Sequence, residues 1–460
     1  MPWLESLQPV RMQRVAVVVA AARLTETVRE VGAAGVVDFD DLLSAKRSAG
    51  NSTGEEADRM AGEAVHRGSA AALAGWCPDR LVPALSARLA GLGASVVRLP
   101  VPLGLDPPTL LPQRGSASAS FRPLVSTYGT VPYPNVDPTL LAGLAYAVMF
   151  GMMFGDAGHG LLLALGALVL RTGRPRLLAR WRSMWVFVGA AGLASAGFGL
   201  LYGEFFGPTG LVPVWWLAPL QEPVTLLAAG IGVGAVLLAA AYAAAIVNRW
   251  REGGAQLAVY ASSGIAGATV FLGIGGLAGG LYLRAAAIAW AGAAVIAVGL
   301  LLAGAGFKVA AGPGAAGYAQ AAIQVVDVLV RIATNLISFA RLAAFGLVHA
   351  ALGELVWKGT TGLAGLGGLL ATVGAAVLFL AGNALSFAVE SVIAAIQALR
   401  LTFYELFSRI FETQGRPYRP WQLPGAPLVE PASPLPAGPA PRAADIRRPR
   451  PRTGRHRTEK

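Results

Sequence analysis

Two long apolar segments late in the chain carry charges that hydrocarbon does not hold without a reason. AIQVVDVLVRIATNLISFARLAAFGLVHAALGELVW contains Asp327, Arg331, Asn335, Arg341, His349 and Glu354, and GNALSFAVESVIAAIQALRLTFYELFSRIF contains Asn383, Glu390, Gln397, Arg400 and Glu405. A charged group at the bilayer centre costs about 2.5–3.5 kcal/mol on insertion scales, so it persists only where it faces protein or water. Helix geometry sorts these residues. Asp327 and Arg331 stand four apart and can neutralise each other on one helix face. Arg341 has no acidic residue three or four positions away on either side. It lies about 21 Å along the axis from Asp327 and about 12 Å from His349. Its counter-charge must therefore come from another helix or another chain, and a functional role outweighs a structural ion pair inside this subunit.

Arg400 is less isolated, because Glu405 follows closely and snorkelling at a helix end is the competing account. Glu390 lies about 15 Å from Arg400, too far for a local pair, and reads as the lining of a polar path. His349 has no second His or Cys at ligand spacing, so metal binding is set aside. An imidazole that titrates near neutrality fits a proton relay instead. Glu354, Gln397 and Asn335 are further candidates for channel lining or an interface, as are Asp156 and His159 in MFGDAGHG. No cofactor is indicated. The lone Cys77 excludes a disulfide framework.

These residues need long helices to place them. The two segments, 318–357 and 362–411, would span about 60 and 75 Å as helices, well beyond a hydrocarbon core of about 30 Å. They must tilt strongly, break or project. Four further crossings are read at 183–206, 223–247, 256–281 and 285–307. The stretch 139–170 is read as a helical hairpin with Asp156 and His159 at its tip. Charge decides that reading: RTGRPRLLARWR after Leu170 belongs on the cytoplasmic side together with the N-terminal region, so an even number of crossings separates them. GPTGLVPVWWLAPLQEP, with two Trp and no Lys or Arg, suits the outer face. The count reaches eight, with both termini cytoplasmic, in a multi-pass protein of the cell membrane.

Composition agrees with lipid as the main solvent. Hydrophobic residues make up 55% of the 460 residues and charged ones 13%, with a mean hydropathy of +0.57. A net charge of +12 is not read as a nucleic-acid footprint, because the basic residues cluster between apolar segments and in the tail, where they act as topology signals. Residues 1–120 are expected to form a small cytoplasmic α/β domain and connector. Val15–Ala20 suits a strand, Leu24–Val31 a helix and GVVDFDD another strand. The polar run RSAGNSTGEEADRM reads as a loop, and helical patterns resume through Leu89. The connector LPVPLGLDPPTLLPQRGSASAS is too rich in Pro to be a core element. Residues 121–418 form the transmembrane domain, and 419–460, rich in Pro, Ala and Arg, are expected to be disordered. The fold class is mainly α, a polytopic helical membrane protein with a small N-terminal α/β domain.

SFARLAAFGLVHAALGELVW closely resembles the motif that carries the essential arginine in subunit a of V-type ATPases, called subunit I in bacteria and archaea. ESVIAAIQALRLTFYELFSRIFETQGRPYRP resembles the final helix of the same subunit. YGTVPYPNVDPT leading into AVMFGMMFGDAGHG, and GLLYGEFFG, agree as well, and together the matches run from Phe121 to Tyr418 in the family's order. The resemblance implies a static subunit whose Arg341 faces the carboxylates of a rotating proteolipid c-ring (subunit K/L), with Arg400 in support. It also implies that Glu390 and His349 line a half-channel; Asp327 is a weaker match to an acidic channel residue. Further implied partners are the peripheral stalk subunits E and G and membrane lipid. The family's cytoplasmic arm is usually long, whereas about 120 residues precede the membrane region here, which reads as a shortened arm. Its start, QRVAVVVAAARLTETVREVGAAGVVDFDD, resembles the family's first strand-helix-strand.

A secondary transporter or ion channel using the same charged helices is the competing class; it often shows inverted repeats, and the Arg-bearing segments have no evident repeat in the first half. A single-chain ATP-driven pump lacks its G-x-x-x-x-G-K-[ST] loop.

Overall fold

The computed structural model describes residues 8–40, 60–62, 64–102, 104–112, 115–174, 176–411 and 414–422. They form two units, Val10–Pro108 joined by the stretch from Tyr418 onward, and Thr109–Pro417.

The described part of the smaller unit is an antiparallel sheet packed with α-helices. Its elements are β1 (Met12–Ala20), α1 (Leu24–Ala34), β2 (Asp38–Phe39), β3 (Val65–Arg67), β4 (Ala70–Pro78), α2 (Val82–Ala90) and β5 (Ser95–Arg98). The strand order is β2-β4-β1-β5, with β3 also on β4. The first strand, helix and second strand fall where the apolar alternation of VAVVVA and the 3.6-residue period of LTETVREVGAA put them. Gly35, at φ +62°, ends α1 in a left-handed conformation natural to glycine. β4 is a correction. AAALAGWCP reads as a helix by Ala and Leu content, but it pairs with β1 from Met12–Pro78 to Ala20–Ala70 and sits between two strands. Central position in the sheet overrides a weak local propensity. Gly75 leaves room for β2: a Cβ there would stand 2.7 Å from the Asp38 carbonyl oxygen. The core collects Val15, Val17, Val28, Val31, Leu73, Cys77, Leu85 and Leu89.

Trp421 enters that core from the far end of the sequence. Its backbone N–H donates to Val37 at 2.8 Å, and its indole N–H donates to the Val28 carbonyl at 3.3 Å. Tyr418 donates its hydroxyl to the Val36 carbonyl at 2.7 Å. So the first residues of the expected tail, through Gln422, are ordered against the sheet; the rest of the tail lies outside the described residues. So does most of RSAGNSTGEEADRM.

The larger unit is helical. Its elements are α3 (Gly115–Tyr128), α4 (Thr139–Met153), α5 (Ala157–Thr172), α6 (Trp185–Tyr202), α7 (Pro223–Tyr260), α8 (Ile265–Tyr282), α9 (Ala286–Ala311), α10 (Ala315–Ser338), α11 (Ala340–Ala364) and α12 (Leu369–Leu401). A π-helical turn, Thr402–Phe407, and a last turn to Ile410 extend α12. The end of the Pro-rich connector differs from expectation, since SASAS forms the first turns of α3. Among the described residues, six stretches are long and apolar enough to cross a membrane: Leu178–Tyr202, Pro223–Tyr260, Ile265–Tyr282, Ala286–Ala311, Ala315–Ala364 and Leu369–Ile410. They correspond to the six long segments read from hydropathy. The two longest are interrupted, one at Phe339 and one by the π turn, so the excess length is met in part by irregularity.

α4 and α5 are short and antiparallel, turning at Phe154–Asp156, as the hairpin reading requires. The surprise is α6, against which both arms pack. Along α6, Phe187 meets Tyr146, Ala194 meets Gly151, and Tyr202 meets Gly155, so α4 runs parallel to it. Ala196 and Gly192 meet Gly160 and Gly199 meets Ala157, so α5 runs antiparallel. The small residues permit near backbone contact: a Cβ on Gly199 would stand 2.1 Å from the Ala157 nitrogen, and one on Gly160 2.3 Å from the Ala196 nitrogen.

Candidate functional site

α11 and α12 are antiparallel neighbours. Val356 meets Gly382, Leu378 meets Gly359, and Leu363 meets Gly374. One polar link crosses the pair deeper in, where His349 Nδ1 meets a Glu390 carboxylate oxygen. Both side chains are buried, at 5% and 8% exposure. In this register Arg341 and Arg400 come to one level of the helix pair, about 12–15 Å along the axes from the His349–Glu390 link. Helix pairing therefore brings to a similar level two arginines 59 positions apart in the sequence.

The two arginines differ in surroundings. Arg341 is half-buried, and its Nη1 is buried without a hydrogen-bond partner. Arg400 is exposed. Neither makes an ion pair among the described residues. Glu405, on the π turn, is buried and lies in the field of Arg341, Arg400 and Arg409. Gln397, half-buried between the arginine and His349 levels, also has an unpartnered side-chain oxygen, Oε1.

The remaining candidates are dispersed. Asp327 pairs with Arg331 on α10, and both side chains are more than half exposed. Glu354 pairs with Lys358 at 2.5 Å on α11. Asn335, with its amide nitrogen toward the Arg331 carbonyl, accepts from Arg409 at 3.1 Å. Asp156 caps α5 by accepting from the His159 N–H at 2.8 Å, and its second oxygen accepts from the Gly207 N–H at 2.8 Å. His159 is brought close to His349, with ring centroids 5.9 Å apart. Asp156 and His159 thus join the deep end of the site, whereas Asp327 and Asn335 do not.

Three polar residues escaped the sequence reading. Glu204 is 6% exposed and sits just beyond α6, in the field of His349, Asp156, Glu390 and Glu354. An acid inside the apolar GLLYGEFFG was the available signal. Asn248 is fully buried; its side chain accepts from the Val136 N–H at 2.9 Å and donates to the Ile410 carbonyl at 3.3 Å. Arg409 is buried over the Tyr242 ring, 5.7 Å from its centroid.

Six membrane-length apolar helices and an antiparallel pair carrying a buried His–Glu link describe a multi-helix membrane protein. Residues 65–209 match the V-type ATPase 116kDa subunit family. The chain is a homologue of proteins named V- or A-type ATP synthase subunit I and V-type proton ATPase subunit a, as its motifs indicated. It is 40% identical over 169 residues to V-type ATP synthase subunit I 2 of Treponema pallidum, covering 35% of this chain and 36% of that protein. It is 28% identical over 374 residues to A-type ATP synthase subunit I of Aeropyrum pernix, covering 71% and 52%. To the human V-type proton ATPase 116 kDa subunit a 3 it is 36% identical over 155 residues, covering 31% and 19%. The alignments that take in most of this chain span about half the length of those relatives.

Proposed function

We propose that this chain is the static membrane subunit of a rotary V-type ATPase or ATP synthase, forming proton half-channels against a proteolipid c-ring. The observation that carries the reading is Arg341, a half-buried guanidinium with an unpartnered nitrogen and no carboxylate in ion-pair range among the described residues. A carboxylate delivered by a passing ring subunit completes it. A fixed cation in low dielectric favours the ionised form of that carboxylate, so each ring site releases its proton before passing, and the same charge blocks direct leakage between half-channels.

Arg400, level with Arg341, widens the positive wall, and Glu405 keeps its charge partly balanced. His349 and Glu390, with Gln397 between them and the arginines, line the half-channel on the side of the Asp156 tip. Asp327, already balanced by Arg331, has the weakest claim to the path. In this reading the short α4–α5 hairpin crosses with the six long stretches to make eight segments, with both termini cytoplasmic. Stalk subunits E and G meet the cytoplasmic α/β unit. ATP chemistry belongs to other subunits of the complex.

The test is ATP-driven acidification of vesicles carrying the assembled complex. Arg341→Ala abolishes acidification while the complex still assembles. Normal pumping by the assembled Arg341→Ala complex would remove this function from the chain.

A further inference from the structure

A single histidine on α11 offers no metal site by spacing, but the fold supplies a second histidine from α5. Asp156, His159 and His349 each present one ligand atom, and these atoms all lie within 4.8 Å of one another. All three residues are buried, at 0%, 3% and 5% exposure. Neither ring nitrogen of His159 makes a hydrogen bond of good geometry; Nδ1 stands 3.6 Å from an Asp156 carboxylate oxygen. A buried imidazole with both nitrogens unsatisfied costs free energy, and such a group calls for an unseen partner.

We propose that Asp156, His159 and His349 bind a divalent transition-metal ion of the zinc class. Two imidazoles and one carboxylate suit zinc, cobalt or nickel; magnesium and calcium call for sets of oxygen donors. The supporting contacts are those of a built site. With the ring proton on Nδ1 toward Glu390, Nε2 is the nitrogen of His349 free to ligate, the usual carboxylate–histidine–metal order. The His159 and Gly207 N–H groups fix the Asp156 carboxylate at 2.8 Å each, leaving lone pairs on both oxygens. Aromatic rings wall the cluster: Phe154 lies 4.9 Å from His349, and Phe206 and Phe387 lie 5.1 and 5.6 Å from His159, centroid to centroid. Tetrahedral zinc with bonds of about 2.0–2.1 Å sets neighbouring ligand atoms roughly 3.3 Å apart, so the set closes by about 1.5 Å at most on binding. His159 breaks no hydrogen bond in doing so. A water completes the fourth position.

Binding is measured on the full chain purified in detergent through a tag free of histidine and stripped with chelator, so neither ATP nor a ring enters the result. Cobalt(II) is titrated by its visible spectrum and zinc(II) by calorimetry. The expected result is one ion per chain, a tetrahedral cobalt spectrum, and displacement of cobalt by zinc. His159→Phe, which keeps an aromatic ring among aromatic neighbours, lowers affinity more than about 100-fold, whereas His66→Ala and His456→Ala do not change it. Glu390→Gln, which removes no ligand, lowers affinity by about 10–100-fold. Retained affinity in both His159→Phe and Glu390→Gln, or wild-type binding weaker than about 0.1 mM, would overturn the site.

Discussion

At the scale of single residues, the environment of each charge ranks its importance. Arg341 keeps a buried unpartnered nitrogen, whereas Arg400 is exposed and follows an apolar stretch it can snorkel from. Arg400→Ala therefore loses less ATP-driven acidification than Arg341→Ala in the same vesicle assay. Cys77 gives a second residue-level outcome, in the α/β unit. Burial, with Asp79 adding to it, pushes the thiol from 9.0 up to about 12. The folded unit thus holds this proton more tightly than the unfolded chain does. Its contribution to stability is full below about pH 9 and is lost as pH rises towards 12. Iodoacetamide is expected to spare Cys77 in the folded chain at pH 8 and to label it on denaturation, with mass spectrometry as the readout. The Asp327–Arg331 pair was legible in the sequence because i,i+4 neighbours on a helix must meet. The His349–Glu390 link was not, because a separation of 41 positions is decided by how two helices pack.

At the scale of elements, the six long helices were readable from hydropathy alone, since a bilayer demands runs of about 20 apolar residues. Their breaks were not, because Phe339 and the π turn at Thr402–Phe407 have no strong local signal. The hairpin at MFGDAGHG was legible from charge balance, but the insertion of α6 against both arms depends on glycines whose role shows only in packing. Gly199 and Gly197 separate the two effects. A Cβ at Gly199 meets backbone at 2.1 Å, and one at Gly197 meets nothing within 4 Å. Gly199→Ala costs about 1–3 kcal/mol or more by overpacking. Gly197→Ala is neutral or slightly stabilising by helix propensity. Thermal melts of both variants in detergent give the comparison, and equal melting temperatures would contradict the close α5–α6 contact. β4 shows the opposite limit, where an Ala-rich strand looked helical until its two neighbours were known.

At the scale of the whole molecule, the α/β unit is made from two distant parts of one chain. Its first strand and helix were evident in the sequence; the contribution of Trp421 was not, because a Trp after a Gly-Arg-Pro run in a basic, Pro-rich end reads as tail. Trp421→Ala removes a nearly fully buried indole and an N–H to Val28. It is expected to destabilise the unit by about 3–5 kcal/mol. Labelling of Cys77 at pH 8 then accelerates in proportion to the population of the opened unit. An unchanged labelling rate would show that the core closes without the indole. The order of synthesis gives this arrangement a temporal meaning. Strands β1 to β5 emerge first, yet the tryptophan that seals them is made only after all six long helices, on the order of tens of seconds later at ordinary elongation rates. Until then the sheet has an open flank, so completion of this small unit reports that the chain has been read through its last apolar helix. A subunit truncated within α12 would display that unsealed flank to chaperones and proteases.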